Sequence, residues 1–243
     1  MSAAKKTASG AKAPAEERIA ENLTLALPKG RIFPEAVARL LAAGLLSREI
    51  SDKSRSLIHE DRATGLRVLT LRNYDVPTYV ERGAADLGVS GKDLLLEQGC
   101  AVYEPLDLRI APCRLVVAAP KGVRWEDLKG RLGLRVATKF PVIAARFFAE
   151  QGIQAQMIRL YGNVEIAPAA GVADVIVDLV DTGGTLRANG LVPREEILRA
   201  TARLIVNRAS LKTKHARVSR FIALLKKETR GRTGARGPGG RKK

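Results

Sequence analysis

At 243 residues with 46% apolar side chains, the chain is long enough for one large domain or two small ones with real cores. No apolar run approaches the ~20 residues of a membrane-spanning helix, and the first ten residues lack the apolar core of a secretory signal, so a cytoplasmic protein is expected. The formal charge of +17 invites a nucleic-acid reading, but residues 226–243 alone hold eight Lys/Arg against Glu228, and only 4% of the chain is aromatic. A basic groove with stacking platforms is therefore not indicated, and nucleic acid is expected to be held only without specificity, through the tails.

Residues 1–21 form an Ala/Lys/Glu arm without apolar periodicity, expected to be disordered. A strand at 23–27 is broken by Pro28-Lys29-Gly30-Arg31 before a helix at 33–41. Strands at 67–71 and 87–89 then alternate with helices at 76–82 and 92–98, the pattern of a parallel sheet. After Pro112 the register restarts: strand 114–120, strand 135–138, helix 141–151, strand 156–160, a helix near 164–169, and strand 175–180. A strand at 203–207 and a helix at 210–225, apolar at Val218, Phe221, Ile222 and Leu225, return to the first unit. The Gly/Arg-rich stretch 227–243 is expected to remain a disordered basic tail.

The fold class that follows is α/β, in two lobes with a central cleft, the second lobe inserted into the first. Residues 22–114 plus 201–226 make the first lobe and 115–200 the second. This is the architecture of type II periplasmic binding proteins, in which the ligand lies between the lobes.

The segment from Val175 to Asn189 carries the most chemistry. A buried strand runs into Asp178 and Asp181 and then into Thr182, Gly183, Gly184 and Thr185. Glycines let consecutive N–H groups turn inward on an anion, hydroxyls add donors, and a helix starting near Thr185 aims its positive end at the same place. The carboxylates repel phosphate but suit sugar hydroxyls, so a ribose phosphate is the natural occupant. A plain Asp-Thr-Gly-Gly turn explains the glycines, but not two acids and two hydroxyls flanking them.

Other candidates lie where strands end. Lys29 and Arg31, with Gly30 between them, can reach phosphates. Ser90-Gly91-Lys92-Asp93 mimics the end of a P-loop but has neither the glycine five positions earlier nor the following hydroxyl, so a P-loop nucleotidase is rejected. Arg72 is free to bind a phosphate or a base, whereas Asp75 reads as the N-cap of the helix at 76. Lys139 and Glu165 end two strands of the second lobe, and Glu165 equally suits a helix dipole. Cys100 and Cys113, with His59 and His215, have no metal-ligand spacing and no nucleophile-base pairing, so both cysteines are expected to be reduced and no protein metal site is expected.

Six segments occur in a distinctive order: Ala26-Leu-Pro-Lys-Gly-Arg31, Arg72-Asn-Tyr-Asp-Val-Pro77, Asp86-Leu-Gly-Val-Ser-Gly-Lys-Asp93, Arg135-Val-Ala-Thr-Lys-Phe-Pro141, Gly162-Asn-Val-Glu-Ile-Ala-Pro168 and Asp178-Leu-Val-Asp-Thr-Gly-Gly-Thr-Leu186. Over residues 22–225 the chain resembles the ATP phosphoribosyltransferases of histidine biosynthesis, and the last segment resembles their phosphoribosyl diphosphate (PRPP) loop. The resemblance implies condensation of ATP, through adenine N1, with PRPP. It implies Asp178, Asp181 and residues 182–185 on PRPP, and Lys29, Gly30, Arg31, Arg72, Ser90, Lys139 and Glu165 on ATP or diphosphate. Asp178, Asp181, Lys29 and Arg31 are expected to be catalytic. Mg²⁺ is expected to be carried by the substrate diphosphate. The chain resembles the short form of the family, which implies a homodimer within a hetero-oligomer, a separate regulatory subunit related to histidyl-tRNA synthetase, and no histidine site in the chain itself. The competing expectation is a two-lobed anion- or solute-binding module without catalysis, since fold alone cannot separate the two.

Overall fold

The structure, a computed structural model, describes residues 19–234. Two sheets organise it. The first has strand order β2-β3-β1-β4-β11-β5 and comprises β1 (Thr24–Pro28), β2 (Ile58–Glu60), β3 (Arg67–Leu71), β4 (Leu87–Gly91), β5 (Tyr103–Asp107) and β11 (Ala202–Val206). The second has order β10-β6-β9-β7-β8 and comprises β6 (Cys113–Pro120), β7 (Leu134–Thr138), β8 (Ala155–Arg159), β9 (Val175–Val180) and β10 (Leu191–Ala200). In each sheet three adjacent strands are parallel, β3-β1-β4 and β8-β7-β9, and the remaining strands add on antiparallel. The apolar run Leu25 to Leu27 of β1 and the run Val175 to Val177 that opens β9 follow from burial on both faces.

Helices α1 (Ile32–Ala42), α2 (Val76–Glu81) and α3 (Lys92–Gln98) connect the strands of the first lobe, and α4 (Trp125–Lys129), α5 (Pro141–Glu150) and α6 (Gly184–Ala188) those of the second. In the first lobe Phe33, Val37 and Leu40 of α1 pack with Leu25, Leu27 and, from the last helix, Val218, Phe221 and Leu225. The second lobe has its own core, in which Trp125, Ile143 and Phe148 cover Val136, Val175 and Val177. The lobes are thus separately cored.

The chain crosses between them twice, at 108–112 and at 201. The two crossings are stitched by Leu108 N–H to the Ala202 carbonyl (3.0 Å) and Ala202 N–H to the Ile110 carbonyl (3.1 Å). Arg109 and Ala111 both have positive φ, 53° and 48°, so this linker is held in a conformation that costs non-glycine residues energy.

Several boundaries differ from expectation. Ile19 and Ala20 already pack on the first core, and Ala20 N–H bonds the Thr64 carbonyl, so order begins before residue 22; residues 1–18 lie outside the described residues. The expected helix at 210–225 is two helices, α7 (Arg208–Thr213) and α8 (His215–Gly234), because Lys214 leaves helical geometry (φ −118°) while its ammonium bonds Asp86 at 2.8 Å. The tail expected from 227 does not begin there: α8 continues, with Glu228 taking both oxygens to Arg39 and Thr229 buried, and only 235–243 fall outside the described residues. The helix near 164–169 is a single 3₁₀ turn, Val164–Ile166. Asp75 makes no side-chain cap, since it sits inside a 3₁₀ turn with φ −89° rather than in the extended geometry a capping residue needs.

Candidate active site

Strand ends from both lobes converge on the cleft. In the second lobe a cavity of about 430 Å³ is walled by Lys139, Asn163, Glu165, Asp178, Asp181 and residues 182–185. Gly183 has φ +74° and is the N-terminal boundary residue of α6; a Cβ there would meet the Arg187 guanidinium at 3.2 Å. Arg187 in turn donates to the Thr182 carbonyl at 3.1 Å, holding the loop from behind. The first N–H groups of α6 have no carbonyl one turn back. They, with the two threonine hydroxyls, are what an anion would find.

Asp178 is half-buried on the same wall. Burial pushes its carboxyl above the usual carboxylate range, the Leu179 N–H and the Lys139 ammonium pull it back, and Glu165 pushes it up again. Asp181, by contrast, is 63% exposed.

In the first lobe Lys29, Arg31, Asn73 and Asp93 border a smaller cavity of about 150 Å³, to which the second lobe adds Leu179. Gly30 has φ +93°, and its N–H bonds the Asp52 carboxylate at 3.0 Å, which fixes the turn carrying the two cations. Asp93 is buried beneath them. Burial raises its carboxyl, while its own N–H, that of Leu94 and the Arg31 charge hold it down. Gly91 is required for space: a Cβ on it would strike the Asp93 carboxylate.

Arg31 joins the two halves. Its guanidinium bonds the Ala111 and Pro112 carbonyls of the linker at 3.1 and 3.2 Å and pairs with Asp181 across the cleft at 3.0 Å. A third compartment, about 650 Å³, opens behind that pair and shares Asp181 and Cys113 with the other two, so all three belong to one cleft. Its arginines are engaged: Arg203 with Asp107, and Arg114 and Arg199 with Glu196.

Of the residues expected from sequence, Lys29, Gly30, Arg31, Lys139, Glu165, Asp178 and Asp181 to Thr185 lie in or beside the cleft. Two do not follow the expectation. Arg72 is exposed at the end of β3 and lines none of these compartments, where Asn73 does. Ser90 is wholly buried with its hydroxyl unpartnered, one residue short of the opening. Asp93, Asn163 and Cys113 line the cleft but are not among the site residues expected from sequence. Asn163 has a positive φ (49°), the one local signal an Asn before a turn could have given, whereas Cys113 reaches the cleft only because the linker passes there. Both cysteines are free thiols, and burial raises the pKa of each. Among the described residues no cluster of three or more His, Cys, Asp or Glu could hold a metal ion.

The family model described as ATP phosphoribosyltransferase (HisG) matches residues 72–227. This chain belongs to the ATP phosphoribosyltransferase family. It is 53% identical over 205 residues to the ATP phosphoribosyltransferase of Syntrophotalea carbinolica, covering 84% of this chain and 94% of that relative. The Pseudomonas paraeruginosa enzyme is 54% identical, with 84% and 95% covered. Among solved structures, the ATP phosphoribosyl transferase (HisG:HisZ) complex from Thermotoga maritima superposes with a TM-score of 0.74 at 34% identity, over 86% of this chain and 99% of that one. The alkanesulfonate-binding protein SsuA from Xanthomonas axonopodis pv. citri superposes with a TM-score of 0.50 at 19% identity, over 87% and 75%, and shares the fold. Membership makes the chain a pentosyl-transferring glycosyltransferase, and the two-lobed architecture expected from sequence is the one observed.

Proposed function

We propose that the cleft performs the first step of histidine biosynthesis, joining N1 of the ATP adenine to C1 of PRPP with release of diphosphate. The observation that carries this reading is the pairing of an anion cradle at residues 182–185 with two acids, Asp178 and Asp181, beside it. A simple anion receptor gains nothing from carboxylates next to its ligand. A ribose phosphate has hydroxyls for them, and a ribose carbon that turns positive as diphosphate leaves is stabilised by their charge.

In this reading the cradle holds the 5-phosphate and Asp178 and Asp181 the ribose. Lys29 and Arg31 face them from the first lobe and take the diphosphate or the ATP phosphates, with Lys139 on the cradle side. The Arg31–Asp181 pair is exposed and therefore weak, so substrate can divide it, phosphate replacing Asp181 on the guanidinium and ribose replacing Arg31 on the acid. Ser90 is too deep for a direct contact, and Arg72 needs a substrate extending beyond the cavities described. Chemistry by positioning and charge neutralisation calls for no covalent intermediate. Lys29, Arg31 and Lys139 would hold a diphosphate that carries its own Mg²⁺, and the ion would supply further charge neutralisation there. The Thermotoga maritima neighbour is solved as a HisG:HisZ complex, which supports a second, regulatory subunit; its kinship to histidyl-tRNA synthetase and a homodimer of this chain within the assembly belong to the same proposal. Incubation of the pure protein with ATP, PRPP and Mg²⁺ tests the reaction. Appearance of the ultraviolet signature of phosphoribosyl-ATP supports it, and PRPP binding without turnover, alone or with the partner, overturns it in favour of a binding module.

A further inference from the structure

Helix α5 begins without a cap of its own. Phe140, the residue before it, makes no side-chain cap (φ −121°, ψ 59°), and Pro141 has no N–H to offer. The donors left over in the first turn are the Val142 and Ile143 N–H groups. Both are taken by one carboxylate from the other lobe: Glu97 of α3 accepts from Val142 through both oxygens (3.1 Å each) and from Ile143 through Oε2 (3.0 Å). Glu97 is only 5% exposed, so its carboxylate is shielded from water, unlike the exposed Arg31–Asp181 pair and the exposed Arg159 to Tyr74 hydroxyl bond (2.8 Å) that also span the lobes.

The cap lies next to the chemistry. Lys139 sits two residues before Pro141 and walls the cradle cavity, and its neighbour Thr138 ties the segment down by donating to the Val177 carbonyl (2.7 Å) and accepting from Phe140 N–H (2.9 Å). Whatever fixes the start of α5 therefore fixes the backbone that carries Lys139. A carboxylate satisfies those two N–H groups at the positive end of a ten-residue helix, and with the lobes apart they would have only water.

We propose that Glu97 is a positioning residue for the reaction: a latch between the lobes that completes the α5 cap only when the cleft is shut, and so couples closure to the placement of Lys139 against the substrate phosphates. The inference rests on the phosphate role given above to Lys139. The 5-phosphate cradle at residues 182–185 belongs wholly to the second lobe and makes no bond to Glu97, so losing Glu97 is expected to lower turnover more than PRPP binding.

Two variants test it, Glu97→Ala, which removes the acceptor, and Glu97→Gln, which keeps its volume and one acceptor oxygen and so retains the packing. Hydrogen exchange followed on the 140–147 segment reads the cap without reference to any chemistry. Exchange at 142 and 143 is expected to quicken about tenfold or more in Glu97→Ala and less in Glu97→Gln, with the rest of α5 unchanged. Turnover is expected to fall roughly ten- to hundredfold in Glu97→Ala and less in Glu97→Gln, while the PRPP dissociation constant by calorimetry stays within about threefold. Wild-type exchange at 142 and 143 overturns the cap. Quickened exchange with wild-type turnover overturns the coupling, and loss of PRPP affinity in step with turnover shows Glu97 acting within the PRPP site instead. If the wild-type protein makes no phosphoribosyl-ATP, the proposed reaction fails while the exchange result still decides the cap.

Discussion

The two lobes have the same plan, a mixed sheet with three adjacent parallel strands and helices around it, yet they build their halves of the site in opposite ways. The second lobe concentrates its half in one contiguous stretch, the end of β9 and the start of α6, where two acids, two hydroxyls and two glycines follow each other. The first lobe assembles its half from separate strand ends, Lys29 and Arg31 after β1, Asn73 after β3, Asp93 after β4, and then borrows Asp181 from across the cleft to anchor Arg31. In the proposed reading the local device recognises one rigid group, the phosphate, whereas the dispersed one depends on how the lobes sit. The lobe with the contiguous half should therefore govern binding, and the lobe with the dispersed half should govern turnover.

The largest effect is expected from breaking the contiguous half. Gly183→Val puts a β-branched side chain at φ +74° and its Cβ against Arg187, so it opposes both the turn and the anion. PRPP affinity should drop by about a hundredfold or more while ATP binding is largely spared, the strain alone costing ~1–3 kcal/mol. Calorimetry showing wild-type PRPP affinity would remove the cradle from the argument.

Asp178→Asn addresses charge rather than shape in the same lobe. Turnover should fall about a hundredfold, with a smaller change in PRPP binding, if the carboxylate acts on developing positive charge. Stability should move the other way. The native carboxyl is raised, mainly by burial, so its contribution to stability is fully present below its unfolded pKa and is lost as pH rises through the folded one. At pH 7 the wild type carries that loss and the asparagine variant does not. Thermal unfolding from pH 3 to 8 should show the variant melting higher at pH 7, the gap closing toward pH 3; a variant that melts lower at pH 7 contradicts the assignment of burial as the dominant cause.

The same contrast explains what could be read from the residues alone. Periodicity and turn chemistry are local, so the cradle, the strand ends and the inserted-lobe order were visible. β10 was not assigned as a strand because Pro193 and the run Arg194-Glu195-Glu196 hide a half-exposed edge that is bulged twice against β6. Glu97 was silent, since a glutamate late in a short helix looks solvated until another lobe's helix arrives above it. Asp93 was seen only as part of a strand-end motif, because its burial under Arg31 depends on the pairing of β4 with β1 and β11. Ser90 and Arg72 show the reverse: a strand-end position says that a residue is near the cleft, and the pleat of β4 or the turn after β3 decides whether it lines it.

Arg31→Ala sharpens the comparison from the dispersed side. It removes the cross-cleft pair and two bonds to the strained linker carbonyls at once. Turnover should fall about tenfold or more, with PRPP affinity changed less than in Gly183→Val, because charge at the leaving diphosphate matters most in the transition state. Equal losses in both quantities would mean that the lobes do not divide binding and turnover as argued.

The smallest effect on activity and the clearest on stability is expected at the far end of the first lobe. Removing residues 235–243 should leave catalysis and melting temperature unchanged and weaken retention on a polyanion column, since four Lys/Arg are lost. Cutting instead at 227 removes Glu228, whose carboxylate lies 9% exposed against the 12% exposed Arg39 guanidinium, and the buried Thr229. Arg39 is then left partly buried without its partner, which costs on the order of 2 kcal/mol, less than for a fully buried pair because some water reaches it. Denaturant unfolding of the two truncations should separate them by that amount. Equal stability would mean that the last turns of α8 contribute no packing to the first lobe, and a large loss of turnover in the shorter deletion would mean that residues 235–243 act on the cleft or on an interface it needs.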